Sequence, residues 1–132
     1  LVSIELALRA AETGHLVIAT LHSATAVEAI SRLIDVFPSE NKSFVRNVLS
    51  SVLIGVVAQR LVRCNTNVSK QGRIATYEVL TSNAAVKNLI KEAKENQLPA
   101  VMQTSAANQM FTFNQHYQKL LDMRLVTDAI PT

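Results

Sequence analysis

Two histidines stand at the ends of one short apolar stretch, and they are the first candidates for chemistry. His15 and His22 flank residues 16–21, which contain five apolar residues and Thr20. Seven steps along a regular strand place two side chains on opposite faces, so we expect no metal site here. His22 follows the strand directly, where ligands bind in open α/β sheets. It could sense a phosphate, or it could simply satisfy loop carbonyls.

Arginines form a second candidate site within one predicted hairpin. Arg60, Arg63 and Arg73 are accompanied by Lys70, and no acidic residue lies between them. Arginine is enriched at interfaces and binds carboxylates and phosphates, so an anion contact or a subunit interface is one interpretation. The alternative is a solvated hairpin edge whose charges oppose aggregation.

A third candidate is the outer face of a predicted helix, marked by Lys87, Asn88, Lys91 and Glu92. Most basic stripes at helical spacing are solvated faces. Aromatic residues make up only 5% of the chain, and no nucleic-acid recognition motif is present. We therefore expect no specific nucleic-acid partner.

The elements that must position these residues alternate between helices and strands. Helical periodicity, caps and breakers predict helices over residues 3–13, from Ser23 or Thr25 to Phe37, from Ser39 through Val56, over 84–95 behind Asn83, near Pro99 and over 112–122. Residues 15–21 predict a buried strand. Residues 59–64 and 73–80 predict an antiparallel hairpin. The pattern is that of an α/β domain with a helical tail.

Composition narrows the classes further. Hydrophobic residues make up 48% of the chain and charged residues 17%, which excludes disorder. The longest apolar run, residues 52–58, falls far short of the roughly 20 residues that span a bilayer. Cys64 is the single cysteine, so no intrachain disulfide or multi-cysteine zinc site is expected. The sequence contains neither GxxxxGK(S/T) nor GxGxxG, the phosphate loops of nucleotide-binding domains.

Four segments, in order, resemble the hexameric secretion ATPases, and most closely their type IV pilus retraction (twitching motility, PilT-like) branch. Residues 7–17 with 20–23 look like the stretch that leads into that family's His box. Residues 32–38 (RLIDVFP), 59–62 (QRLV) and 85–92 (AVKNLIKE) resemble three further family segments. One such segment would be weak evidence, whereas four in the family's order are specific.

The resemblance implies an α/β fold: the C-terminal part of a RecA-like P-loop ATPase domain with a helical C-terminal tail. Residues 1–81 would complete the ATPase core, and residues 82–132 would form a helical subdomain. The Walker A and Walker B motifs and the catalytic residues would lie upstream. We therefore expect no catalytic residue, no metal ligand and no ATP hydrolysis in this chain alone, since phosphoryl transfer depends on phosphate and metal positioning.

The family's function implies a cytoplasmic motor at the inner-membrane face of a pilus machine. A homo-hexamer would use ATP and Mg²⁺ to drive pilus retraction through an inner-membrane platform protein, as a protein peripheral to the membrane. His22, with His15 and Thr20, maps to the nucleotide-sensing His box. Residues 87, 88, 91 and 92 map to a partner-facing helix. Alternatives are a pilus-assembly or type II secretion ATPase, and a stand-alone basic binding module.

Several positions depart from the family pattern. Lys87 and Lys91 replace arginines, which keeps the charge but loses bidentate hydrogen bonding. Ala24 replaces the second hydroxyl of the His box. These changes suggest a divergent or accessory paralogue. The absence of a four-cysteine zinc knuckle favours the retraction branch over the extension and type II secretion ATPases.

Overall fold

The computed structural model describes residues 1–65 and 67–126, and within them helices and strands are mixed. Thr66 of the predicted hairpin loop and residues 127–132 of the predicted helical subdomain lie outside the described residues. The elements in chain order are α1 (Val2–Glu12), α2 (Ala26–Asp35), α3 (Ser39–Val52), β1 (Gly55–Arg63), β2 (Arg73–Thr81), α4 (Ala84–Lys91), α5 (Leu98–Thr104) and α6 (Phe113–Asp122). The predicted α/β class is confirmed.

The helices begin and end where local chemistry dictates. Thr25, rather than Ser23, caps α2, and Asn83 caps α4; each side chain accepts the N–H of the residue three positions on. Gly14 follows α1 with a φ of +92°, a conformation that glycine adopts without strain. Helix α4 stops at Lys91, earlier than predicted, because Ala93 takes a φ of +58° and turns the chain.

The strands pair in antiparallel register from Gly55 opposite Thr81 to Arg63 opposite Arg73. The predicted hairpin is confirmed, but β1 begins four residues before the expected start. Helix α3 accordingly ends at Val52, so the prediction that it continues through Val56 was wrong. A Cβ on residue 55 would lie 3.0 Å from the Leu80 carbonyl oxygen, so the close pairing of the two strands favours glycine there.

Residues 15–21 do not form the predicted buried strand. The segment has no regular secondary structure, and its side chains are exposed. Ile18 is 86% exposed and Leu16 is 74% exposed. A strand needs a neighbour to receive its backbone hydrogen bonds, and in the described part of the chain the only sheet holds β1 and β2 alone.

The main core lies where α2, α3, α4 and α5 pack around the end of β2. Its completely buried members include Ile30, Ile34, Leu80, Ile90 and Leu98. A second, smaller cluster joins Tyr117 and Leu120 of α6 to Val126. The first cluster packs α2 against the hairpin near Leu80. The second packs α6 against Val62 and Ile74, near the loop of the hairpin.

Candidate functional site

The turn that carries His22 is fixed to the start of α2 by two charged side chains. The Arg32 guanidinium donates to the His22 carbonyl oxygen and pairs with Glu28, with 2.7 Å between nitrogen and oxygen. The Ala24 N–H donates to the other Glu28 oxygen at 2.8 Å. This N–H, helped by Arg32, lowers the pKa of the Glu28 carboxyl. The backbone of His22 is therefore held, while its side chain stays exposed.

His15 belongs to a different helix end. Its Nδ1 lies 3.2 Å from the Ala10 carbonyl oxygen and 3.2 Å from the Thr13 hydroxyl, at the end of α1. Thr20 is exposed in the segment between the two histidines. The structure thus ties His15 to α1 and His22 to α2. Among the described residues, no cluster of three His, Cys, Asp or Glu side chains is placed to hold a metal ion.

A buried carboxylate that sequence reasoning missed lies on the inner face of β2. Glu78 is 8% exposed. Its Oε1 accepts the N–H of Ala26, the first residue of α2, at 3.0 Å. Its Oε2 accepts the N–H of Phe113, the first residue of α6, at a longer 3.4 Å. One side chain therefore reaches the amino-terminal ends of two helices. A charged residue at an inward position of an apolar strand was the signal for it.

Helix α6 is held against the hairpin by further contacts. Phe111, just before the helix, exchanges both backbone hydrogen bonds with Val79, at 2.9 and 3.1 Å. The Nδ1 of His116 accepts the Tyr77 N–H at 2.9 Å. Burial, and to a smaller extent Lys119, lowers the pKa of His116. A neutral imidazole with an accepting Nδ1 carries its proton on Nε2, so this histidine is a structural acceptor.

The three hairpin arginines do not converge. Arg63 lies directly opposite Arg73, and both are exposed. Neither forms an ion pair with a residue in the described ranges. Arg60 is an odd number of steps from Arg63, so it points to the other face, where its Cζ lies 4.1 Å from the centre of the Phe113 ring. The structure therefore separates an outer arginine pair from an arginine that packs on α6.

The outer face of α4 is open. Lys87, Asn88, Lys91 and Glu92 are all exposed, whereas Val86 and Ile90 turn inward to the core. Glu92 pairs with Lys94, with 2.8 Å between oxygen and nitrogen. Lys87 and Lys91 have no ion-pair partner within the described sequence, so both charges are available to a partner.

No helix within residues 1–65 and 67–126 is both long enough and apolar enough to cross a bilayer.

The candidate sites lie on exposed surfaces of two kinds. One is the His22 turn beside the exposed apolar residues 16–21. The other is a set of basic side chains on α4 and at the far end of the hairpin. Such surfaces suit contacts with anions or with other protein surfaces.

Comparisons with known proteins give these surfaces a context. The family described as type II/IV secretion system protein matches residues 1–127. The Escherichia coli K12 protein YggR, described as uncharacterized, is 50% identical over 88% of this chain and 34% of its own length. The type IV pilus retraction ATPase PilT of Pseudomonas aeruginosa is 39% identical over 95% of this chain and 35% of its own.

A solved structure agrees with these relatives. The crystal structure of the pilus retraction motor PilT with bound ADP is 43% identical, with a TM-score of 0.81. The superposition covers 95% of this chain and 34% of that one. The chain thus spans about a third of the length of the relatives that it matches. The fold of this chain corresponds to about one third of a secretion ATPase chain, namely the third on which it superposes.

Proposed function

This chain belongs to the family of type II/IV secretion system proteins, and from that premise we propose that it forms part of a hexameric motor ATPase for type IV pilus retraction. The family resemblance read from four sequence segments is confirmed. The observation that carries the proposal is the similarity to pilus retraction motors in sequence and in fold, along nearly the whole chain.

The proposal places this chain as the C-terminal part of a RecA-like domain. Residues 1–81 complete the ATPase core, and residues 82–132 form the helical subdomain. The phosphate loop, the Walker B strand and the catalytic residues lie in a preceding part of a longer protein, which binds ATP and Mg²⁺. The exposure of Leu16 and Ile18 supports this arrangement, because an apolar segment that pairs with no strand among the described residues is suited to join a larger sheet.

In that motor His22, with His15 and Thr20, senses the nucleotide. The support is local: Arg32 and Glu28 hold the His22 backbone and leave its imidazole exposed directly after residues 16–21. An imidazole there can donate a hydrogen bond to a phosphate oxygen. Sensing at this position would move the start of α2, since the turn and the helix share the same contacts.

The open face of α4 contacts the inner-membrane platform of the pilus machine, and the motor acts as a cytoplasmic protein peripheral to that membrane. Lys87 and Lys91 supply exposed positive charges, and Asn88 and Glu92 are exposed on the same part of the surface. The Arg63–Arg73 pair contacts an anionic group of a neighbouring subunit. Two like charges in direct register disfavour each other, and a carboxylate between them would relieve that repulsion.

The first test is the coding sequence upstream of Leu1. A phosphate loop followed by a strand ending in glutamate is the expected finding. A start codon directly before Leu1 would refute the motor proposal and leave a binding module. An upstream adaptor domain, together with extension of assembled pili, would instead identify a pilus-assembly or type II secretion ATPase.

The second test compares variants of the longer protein. His22→Ala is expected to slow ATP hydrolysis more than it weakens nucleotide binding, whereas Gln71→Ala, on the exposed hairpin loop, changes neither. An unchanged turnover number in His22→Ala would exclude the sensing role. The 132-residue chain alone is expected to release no phosphate above a buffer blank.

The platform contact has its own matched pair. Lys87→Ala with Lys91→Ala is expected to abolish motility while ATP hydrolysis continues. Lys70→Ala with Lys119→Ala removes the same charge from two other exposed lysines and is expected to preserve motility. Equal loss of motility in both double variants would mean that net charge, rather than this face, matters.

A further inference from the structure

One buried side chain joins the two regions that the proposed motor must connect. Glu78 lies on β2, and its two carboxylate oxygens accept the first N–H groups of α2 and α6, at 3.0 and 3.4 Å. The Ala26 N–H and the Phe113 N–H are 52 and 35 residues away from it along the chain.

Both helix ends need such an acceptor. Thr25 and Thr112 cap α2 and α6 by accepting the N–H three residues on, which leaves the first N–H of each helix unpaired. Glu78 takes both of those groups. A carboxylate suits this position because it has two accepting oxygens and because each helix start carries a partial positive charge. In glutamine an NH₂ group, which only donates, replaces one of these two oxygens, so in the same orientation it would face one of the two helix N–H groups with another donor.

Each helix is attached at that same end to a candidate functional region. Helix α2 begins four residues after His22, whose carbonyl is held by Arg32 of the same helix. Helix α6 begins two residues after Phe111, which is paired with Val79, and Arg60 lies over the ring of Phe113. A displacement of the His22 turn and the start of α2 would therefore be transmitted to α6 through the carboxylate of Glu78.

We propose that Glu78 is a positioning residue that couples the His22 turn to helix α6, so that the nucleotide state sensed at one is passed to the other. The inference rests on the proposed nucleotide role of His22. It adds a defined connection between that site and the C-terminal helices, which neither His22 nor the α4 face supplies.

The test is hydrogen exchange of the Phe113 amide in the longer protein, with and without ADP. ADP is expected to slow this exchange by about tenfold, within the usual range of coupling between sites. In Glu78→Gln the ADP effect is expected to fall below about twofold, because one of the two helices loses its acceptor. Glu95→Gln is the matched control, since Glu95 is equally buried but pairs with Arg46 of α3.

Glu78→Asp provides a second variant that keeps the charge but shortens the side chain by one methylene, so that it reaches only one helix. It is expected to lose the ADP effect as well. Circular dichroism establishes that each variant is folded. If both variants fail to fold, the unsubstituted protein still decides: an ADP effect at Phe113 supports the coupling, and its absence overturns it.

Three further outcomes would overturn the coupling: an ADP effect that survives in Glu78→Gln, one that survives in Glu78→Asp, or one that is lost equally in Glu95→Gln. ATP hydrolysis, measured on the same samples, separates the two proposals. Absent hydrolysis with a Glu78-dependent ADP effect refutes the motor and supports the coupling. Normal hydrolysis with a Glu78-independent effect refutes the coupling alone.

Discussion

Residues 16–21 and strand β2 have similar residue types but differ in secondary structure and burial. Both contain several aliphatic and β-branched residues. Strand β2 pairs with β1, and its Leu80 packs in the main core with α2, α3, α4 and α5, where it is 0% exposed. Residues 16–21 pair with no strand within residues 1–65 and 67–126, and Ile18 is 86% exposed. A strand therefore forms where its backbone groups find partners, and apolar composition alone does not supply them.

The largest expected effect is on the free energy of unfolding, and it distinguishes a buried isoleucine from an exposed one. Ile30 packs beside Leu80 in the core and is 0% exposed. Ile30→Ala should lower the free energy of unfolding by about 2–5 kcal/mol, because it removes buried methyl groups and leaves a cavity. Ile18→Ala should change it by less than about 0.5 kcal/mol in this chain. Urea denaturation of both variants measures the difference.

Ile18→Ala and Ile30→Ala can also be compared in the longer protein. If residues 16–21 become buried there, the cost of Ile18→Ala should rise toward that of Ile30→Ala. A cost that stays near zero would show that the segment remains exposed in the complete motor and would contradict the proposed larger sheet.

Two threonines give the next effect. Thr112 caps α6 in a reciprocal pair with Gln115, whereas Thr20 is exposed and has no hydrogen bond to another described residue. Thr112→Ala should cost about 1 kcal/mol and Thr20→Ala close to nothing, because only the first leaves a helix N–H unpaired. Thr112→Ser keeps the accepting oxygen and should restore most of the loss in thermal denaturation.

A smaller effect depends on pH. Burial lowers the pKa of His116, so between that value and the ordinary one of about 6.5 the unfolded chain binds more protons than the folded chain. The free energy of unfolding should therefore rise with pH across this window and be lost as pH falls. Denaturant midpoints between about pH 5.5 and 7.5 measure the slope.

Glutamine variants of two histidines assign that slope. His116→Gln removes the group that accepts the Tyr77 N–H and should flatten the slope. His15→Gln changes an exposed histidine at the end of α1 and should leave it in place. Equal slopes in the two variants would assign the pH dependence to another residue.

The smallest expected effect concerns the contact by which Arg32 holds the His22 turn to helix α2. Arg32→Leu removes the donor to the His22 carbonyl at an exposed position outside the core. Hydrogen exchange at the Ala24 amide should speed up while the unfolding midpoint stays the same. Arg32→Lys keeps the charge with a single donor group and should give an intermediate rate. A shifted midpoint would mean that the turn contributes to the core after all.

Much of the fold could be predicted because its signals are local. The cap at Asn83, the positive φ of Gly14 and the apolar periodicity of α2 and α6 all depend on neighbours within one helical turn. The failures depend on distant groups. Residues 15–21 pair with no strand in the described part of the chain, and β1 extends back to Gly55 because residues 55–58 pair with residues 78–81 on the other side of the hairpin.

The candidate site divides in the same way. His22, the exposed lysines and the opposed pair Arg63 and Arg73 could be selected from residue type and position. Strand alternation alone predicts that Arg60 lies on the opposite face from Arg63, because the two residues are three positions apart. The double role of Glu78 could not be predicted, because its two partners are brought together only when α2 and α6 pack on the same strand.

The exposure of residues 16–21 also has a consequence for the cell. Any copy in which this apolar segment stays uncovered displays the kind of surface by which chaperones and proteases recognise incompletely folded proteins. Orphan copies would then be removed faster than those built into a complete assembly. The supply of the protein would be matched to its assembly by quality control, without any dedicated regulator.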